Sequence, residues 1–190
     1  MNRPRTDLAT EGHVRTTPSS DRLSYQRLSL SNVAQFHRLA TDVHVRRYLM
    51  DGQAMTREWS DAVVHSSDAL FETRGVGIWL VSERNIENDR IQPIGFGGFR
   101  VFEELGSEPQ LLYALLELYS GRGYATEIAR TLSAYARDEA DFASVTAAVD
   151  DPNIASIWVL EKVGFERSGE APGFFGTTVL FTMETAPRHD

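Results

Sequence analysis

The 190-residue chain contains no cysteine. A disulfide framework, a thiolate metal site and a cysteine nucleophile are thereby excluded. Positive charge is also scarce: 19 Lys and Arg stand against 27 Asp and Glu, a formal net charge of −8. General nucleic-acid binding needs clustered cations to neutralise phosphates, so the balance argues against it and mildly favours an amine-bearing partner. No apolar run approaches the length of a bilayer span, and no signal-peptide core follows the N-terminus. No HxH or HExxH pair points to a metal, and no repeat or low-complexity block is present. What remains, with 42% hydrophobic residues, is enough for one domain around one sizeable core. A reducing, cytoplasmic setting without membrane attachment is expected.

The chain is organised around Gly121-Arg122-Gly123-Tyr124-Ala125-Thr126. An apolar run of strand length, Leu111-Leu112-Tyr113-Ala114-Leu115-Leu116, precedes it. Tyr124, Ile128, Leu132 and Tyr135 follow at helical spacing. Strand, glycine turn and helix start make an anion site, because the first helical N–H groups lack internal partners and the helix dipole is positive there. No lysine follows the glycines, which excludes a triphosphate P-loop. A dinucleotide fingerprint needs Gly or Ala where Thr126 stands, and should follow the first strand.

The remaining elements follow from pattern. Residues 1–20 are polar and aperiodic and are expected to be a disordered leader to a domain over 21–186. A strand is expected over 23–28. Ser31 reads as the cap of a first helix, with Val33, Phe36, Leu39 and Val43 on one face. Thr56 caps a second helix, with Trp59, Val63 and Leu70 turned to the core. Strands are expected over 78–81, 93–102 and 111–116, with a turn over 83–90 and a hairpin loop over 104–109. After the central helix, a strand over 144–149 leads to a short helix ended by Gly164, and two further strands close the chain. This order predicts a mixed, mostly antiparallel α/β sheet of seven strands flanked by about four helices.

A second landmark is Asn153-Ile154-Ala155-Ser156, then Glu161-Lys162-Val163-Gly164-Phe165. With Ser120-Gly121-Arg122-Gly123-Tyr124-Ala125 some thirty residues upstream, it resembles the GNAT N-acetyltransferases, and the ribosomal-protein N-acetyltransferase branch in particular. In the family's loop pattern Q/R-x-x-G-x-G/A, the small positions are met and Ser120 departs. The resemblance implies a splayed GNAT sheet and acetyl-coenzyme A as cosubstrate. Tyr113, Ala114 and Leu115 would meet the pantetheine. Gly121, Arg122, Gly123, Tyr124, Ala125 and Thr126 would hold the pyrophosphate. Asn153 and Ser156 would contact the cofactor arm, with Lys162 and Arg167 as candidates for the 3′-phosphate. The partners are then acetyl-coenzyme A and an amine acceptor, on a monomer or homodimer.

The same resemblance exposes gaps. The family's tyrosine acid falls on Leu160, one glutamate base falls among Ala147-Ala148-Val149, and an early strand acid falls on Gln110. Glu103 is the substitute base expected from the sequence, because a hairpin would place it opposite Gln110; Asp150 is the second candidate. His37, His44 and His65 lie on the first two helices, which flank the acceptor cleft in the family. An enzyme without a strong base favours acceptors that are already neutral. The expectation is therefore N-acetyl transfer to a primary amine, with a peptide N-terminal α-amine preferred. A small-molecule amine, or a non-catalytic acyl-coenzyme A-binding module, are the alternatives.

Overall fold

The computed structural model describes residues 16–84 and 92–185. One seven-stranded sheet runs through the described residues in the order β1-β2-β3-β4-β5-β7-β6. Strands β1 (Leu23–Arg27), β2 (Ile78–Glu83), β3 (Pro93–Arg100) and β4 (Gln110–Leu115) form an antiparallel meander. Strands β5 (Ser144–Asp150), β6 (Glu166–Gly173) and β7 (Gly176–Glu184) complete the sheet, with β7 antiparallel to both β5 and β6. The expected architecture is present.

Among the described residues five helices flank the sheet, one more than the sequence suggested. Helix α1 (Val33–Ala40) stops at Thr41, and α2 (Val43–Leu49) restarts with Asp42 as its cap. The Asp42 carboxylate accepts the N–H groups of His44 at 2.9 Å and Val45 at 3.3 Å, which satisfies two orphan donors of a new helix. Val43 consequently leaves the apolar face and is 71% exposed. Asn32, not Ser31, holds the start of α1. Its buried side chain accepts from the Ser29 N–H and donates to the Arg27 carbonyl, both at 2.9 Å. Helix α3 (Arg57–Arg74) begins at Thr56 as expected, with the hydroxyl accepting from Trp59.

The core lies on both faces of the sheet. Phe36, Leu39, Val64, Ile78, Leu80 and Phe96 pack between the sheet and α1–α3. On the other face, α4 (Tyr124–Asp138) turns Ile128, Leu132 and Ala136 onto Trp79, Phe99 and Phe181. Burying each such Ile or Leu contributes about 1.5–3 kcal/mol. Gly97 of β3 permits this approach, since a Cβ there would lie 2.7 Å from Ile128 and 3.0 Å from Leu132. Helix α5 (Ile154–Val163) ends at Gly164 in the left-handed conformation, as its position predicted.

Of the expected leader, residues 1–15 lie outside the described residues. Residues 16–20 run against α4: Ser19 bridges Ser24, and the Ser20 hydroxyl donates to Glu127 at 2.7 Å. Most of the turn expected over 83–90 lies outside the described residues, as do residues 186–190. No helix among the described residues is long and apolar enough to cross a membrane.

Candidate active site

Strand β4 ends at Leu115, a short 3-10 turn (Glu117–Tyr119) follows, and the chain enters the glycine loop. Gly121 (φ 73°) and Gly123 (φ 80°) are both left-handed, a region where a Cβ costs about 1–2 kcal/mol. The first bond of α4 runs from the Glu127 N–H to the Gly123 carbonyl at 3.1 Å. Among the described residues, the N–H groups of Gly121 through Thr126 donate to no protein acceptor, and no side chain caps the helix. Free amides in a glycine loop and the first turn of the helix it leads into are donors of the kind that an anion can occupy.

The cradle is braced from behind by a residue that the motif did not predict. Arg22 donates through Nε to Glu127 Oε2 at 2.7 Å and through Nη1 to the Arg122 carbonyl at 3.1 Å. Its guanidinium also lies 4.6 Å from the centre of the Tyr124 ring. Partial burial opposes ionisation of Glu127, but hydrogen bonds from Ser20 and Arg22 outweigh it and hold the carboxyl below its ordinary value.

Beside the loop the sheet opens. Strands β4 and β5 are parallel and pair only at Gln110 and Thr146. Beyond that point they diverge, and the gap becomes a cavity of about 1020 Å³. Five consecutive β4 residues, 111–115, line it. Neighbouring strand residues point to opposite faces, so the cavity passes through the sheet rather than lying on one side. Tyr113 bridges the gap by donating its hydroxyl to the Ser156 carbonyl at 3.2 Å. Burial pushes the Tyr113 phenol well above its usual range, opposed only in part by that hydrogen bond.

The sequence of residues 22–166 matches the profile of the acetyltransferase (GNAT) domain. The chain belongs to the GNAT acetyltransferase family. Among curated proteins, the uncharacterised YkkB of Bacillus subtilis is 27% identical over 149 residues, which is 70% of this chain and 74% of YkkB. An acetyltransferase from Agrobacterium tumefaciens superposes with a TM-score of 0.73 at 19% identity, over 97% of this chain and 100% of that one. The ribosomal L7/L12 alpha-N-protein acetyltransferase RimL, solved with coenzyme A, superposes with a TM-score of 0.71 at 19% identity, over 88% of this chain and 96% of RimL. At these identities the structures share the GNAT fold.

Within this GNAT domain the expected site residues divide. Tyr113, Ala114, Leu115, Gly121, Gly123, Ala125, Thr126, Asn153 and Ser156 all line the one cavity. The Asn153 Oδ1 caps α5 by accepting from Ser156 at 3.3 Å, which leaves its amide nitrogen for a ligand. Lys162 lines the cavity as well. Arg122 and Tyr124 stand outside it: the Arg122 guanidinium lies over the Tyr119 ring, and the Tyr124 hydroxyl donates to Glu83. Arg167 is paired with Glu161 at 3.3 Å.

Glu103 is not where the hairpin argument put it. Strand β3 ends at Arg100, which stands opposite Gln110, and Glu103 sits exposed in a 3-10 turn (Glu103–Leu105) outside the cavity lining. Glu104 lines the cavity in its place, with Asp51 and Asp150. Asp150 accepts from the Thr178 hydroxyl at 2.9 Å. Partial burial raises the Asp51 carboxyl above its ordinary value, and the charges of Asp150 and Glu104 add to the effect. His44 also lines the cavity, His37 is tied to Ser60 at 2.9 Å, and His65 is exposed. Leu160 is fully buried in the cavity wall.

Proposed function

We propose that this GNAT protein transfers an acetyl group from acetyl-coenzyme A to a primary amine, with an α-amine, at a peptide N-terminus or in an amino acid, as the preferred acceptor. The observation that carries the reading is the continuity of the free-amide cradle with the split between β4 and β5, in one cavity that also opens among carboxylates. The coenzyme A bound to RimL, and RimL's activity as an alpha-N-protein acetyltransferase, support the cosubstrate and the acceptor.

Acetyl-coenzyme A, when bound, supplies an acetyl group activated as a thioester. The amides of Gly121 to Thr126 would receive its diphosphate, and the Asn153 amide and the Ser156 hydroxyl would steady the pantetheine. Past Gln110 the β4 amides that face the gap have no partner in β5, so one near Leu115 can donate to the oxygen on which charge develops. Asp51, Glu104 and Asp150 line the same cavity and would hold the incoming amine and take up its proton. Positioning supplies much of the acceleration when no strong base is present.

The acceptor preference follows from proton availability. An α-amine titrates near 8 and a lysine side chain near 10.4, so at pH 7.5 the neutral fraction differs by roughly two orders of magnitude. A thiol-release assay with a short peptide and its N-terminally blocked, lysine-bearing counterpart tests this. Preference for the side-chain amine at neutral pH would reject the acceptor assignment. The absence of thiol release with any amine, alongside tight coenzyme A binding, would favour the reading that Leu160 allows: a module that binds acyl-coenzyme A and has lost its proton donor.

A further inference from the structure

Arg100 is the last residue of β3, opposite Gln110 where β4 and β5 still touch. Its guanidinium lies 5.6 Å from the centre of the Trp59 ring and 5.4 Å from that of Phe102, and it lines the same cavity as Asp51 and Glu104. Glu104 acts on it electrostatically, yet among the described residues no carboxylate forms an ion pair with it and no acceptor takes its hydrogen bonds. Six of the twelve other described arginines, Arg22, Arg27, Arg57, Arg74, Arg137 and Arg167, each hold a carboxylate.

The geometry leaves Arg100 with one kind of capacity. Stacking on aromatic rings uses the faces of a guanidinium, whereas its five N–H donors lie in the plane and point along its edges. A half-buried guanidinium that lines a cavity with its donors unclaimed suits a planar anion, and a carboxylate matches the fork with two parallel hydrogen bonds. The cavity therefore holds carboxylates suited to an ammonium and a guanidinium suited to a carboxylate.

On the acetyltransferase reading above, we infer that Arg100 selects acceptors that carry a carboxylate close to the reacting α-amine. Two sources offer that chemistry: the terminal carboxylate of a free amino acid or dipeptide, and an acidic side chain at the start of a longer polypeptide. Trp59 and Phe102 position the guanidinium, and Arg100 determines specificity without taking part in proton transfer.

The test is a pair of acceptor comparisons by thiol release. One sets dipeptide free acids against their C-terminal amides; the other sets N-terminal peptides with Glu at the second position against the same peptides with Gln. In the parent, kcat/KM should favour the carboxylate by about 10- to 100-fold in at least one pair, the worth of a charge-assisted hydrogen-bonded contact. Arg100→Gln should bring that ratio close to 1, through KM, and Arg100→Lys should restore part of it. The pair that responds identifies the source of the carboxylate. A parent indifferent to the carboxylate in both pairs overturns the inference, and so does an Arg100→Gln variant that loses activity on acids and amides by the same factor. Calorimetric binding of acetyl-coenzyme A by the parent separates the two readings: intact binding with indifference to the carboxylate rejects the Arg100 assignment alone, whereas no binding rejects the functional reading beneath it.

Discussion

The Nη2 of Arg22 lies 2.6 Å from Oε2 of Glu127, joining the start of β1 to the first turn of α4 across the back of the glycine loop. An acid in the first helical turn is favoured by the dipole, and here it also anchors the guanidinium that holds the Arg122 carbonyl. Arg22 is half exposed, so the pair alone contributes little; the contacts of the Ser20 hydroxyl and the Arg22 backbone N–H with the same carboxylate make it a network. Glu127→Gln should destabilise the fold by about 1 kcal/mol at neutral pH.

The pH dependence has a definite sign. The Glu127 carboxyl is depressed in the folded protein, so its contribution is complete above the unfolded value near 4.3 and is lost as pH falls through the lower folded value. Urea unfolding of parent and Glu127→Gln should therefore differ at pH 7 and converge below about pH 4. A difference that grows on acidification would show the assignment to be wrong.

Gly123 tests the anion cradle. A Cβ there meets nothing closer than Arg22 Nη2 at 3.5 Å, so the protein itself leaves room, and the cost of Gly123→Ala is the left-handed backbone, about 1–2 kcal/mol. Gly123→Glu adds a negative charge at the mouth of the cradle. Acetyl-coenzyme A affinity by calorimetry should fall moderately for Ala and by more than tenfold for Glu, with both variants folded by circular dichroism. Parent-like affinity in Gly123→Glu would remove the loop from the binding site.

Tyr113 is one of the phenols that line the cavity, yet its hydroxyl is committed to Ser156 and burial pushes its titration well above the ordinary range. The pH–rate profile of the parent should show no tyrosine limb up to about pH 10, and Tyr113→Phe should lose about 1 kcal/mol of stability with the profile unchanged in shape. A limb that disappears in Tyr113→Phe would make Tyr113 the proton donor. Leu160→Ala should cost about 2–5 kcal/mol, because the side chain is fully buried.

The glycine loop and the elements around it were legible in the sequence because their signals are local. Glycines that take left-handed turns, an apolar strand before them and an amphipathic helix after them lie within about thirty residues, and Asn153 is both motif and helix cap. The helix break at Asp42 was not legible, since Leu39, Ala40 and Val43 fit one continuous apolar face and only the cap overrides that spacing. The rest of the cavity lining was hidden for a different reason. Asp51, the Arg100–Glu104 stretch and Asp150 come from three separate parts of the chain and meet only in the folded protein, so no short window contains them all. Glu103 does not stand opposite Gln110 because β3 ends two residues before the sequence pattern does, and the chain turns into a 3-10 helix there.

Asp51 then becomes the carboxylate to test as proton acceptor. Partial burial, with Asp150 and Glu104 nearby, holds its pKa above the ordinary carboxylate value, which moves it toward the range in which a base works best. Asp51 is exposed to solvent, which screens the effect, so the same shift makes its ionised form only a small burden on the fold. A carboxyl whose folded pKa is raised binds its proton more readily when folded, so the protein loses stability as pH rises past the unfolded value. Asp51 also has a left-handed backbone, φ 51°, a conformation that asparagine tolerates well. Asp51→Asn should therefore melt at or above the parent temperature at neutral pH, while kcat/KM for an α-amine falls by about 10²-fold at pH 6.5 and much less at pH 9.5, where the amine arrives neutral. Glu103→Gln should leave both readouts at parent values. A pH-independent loss in Asp51→Asn would reduce Asp51 to a binding contact for the amine, and a lowered melting temperature would contradict the electrostatic account of the site.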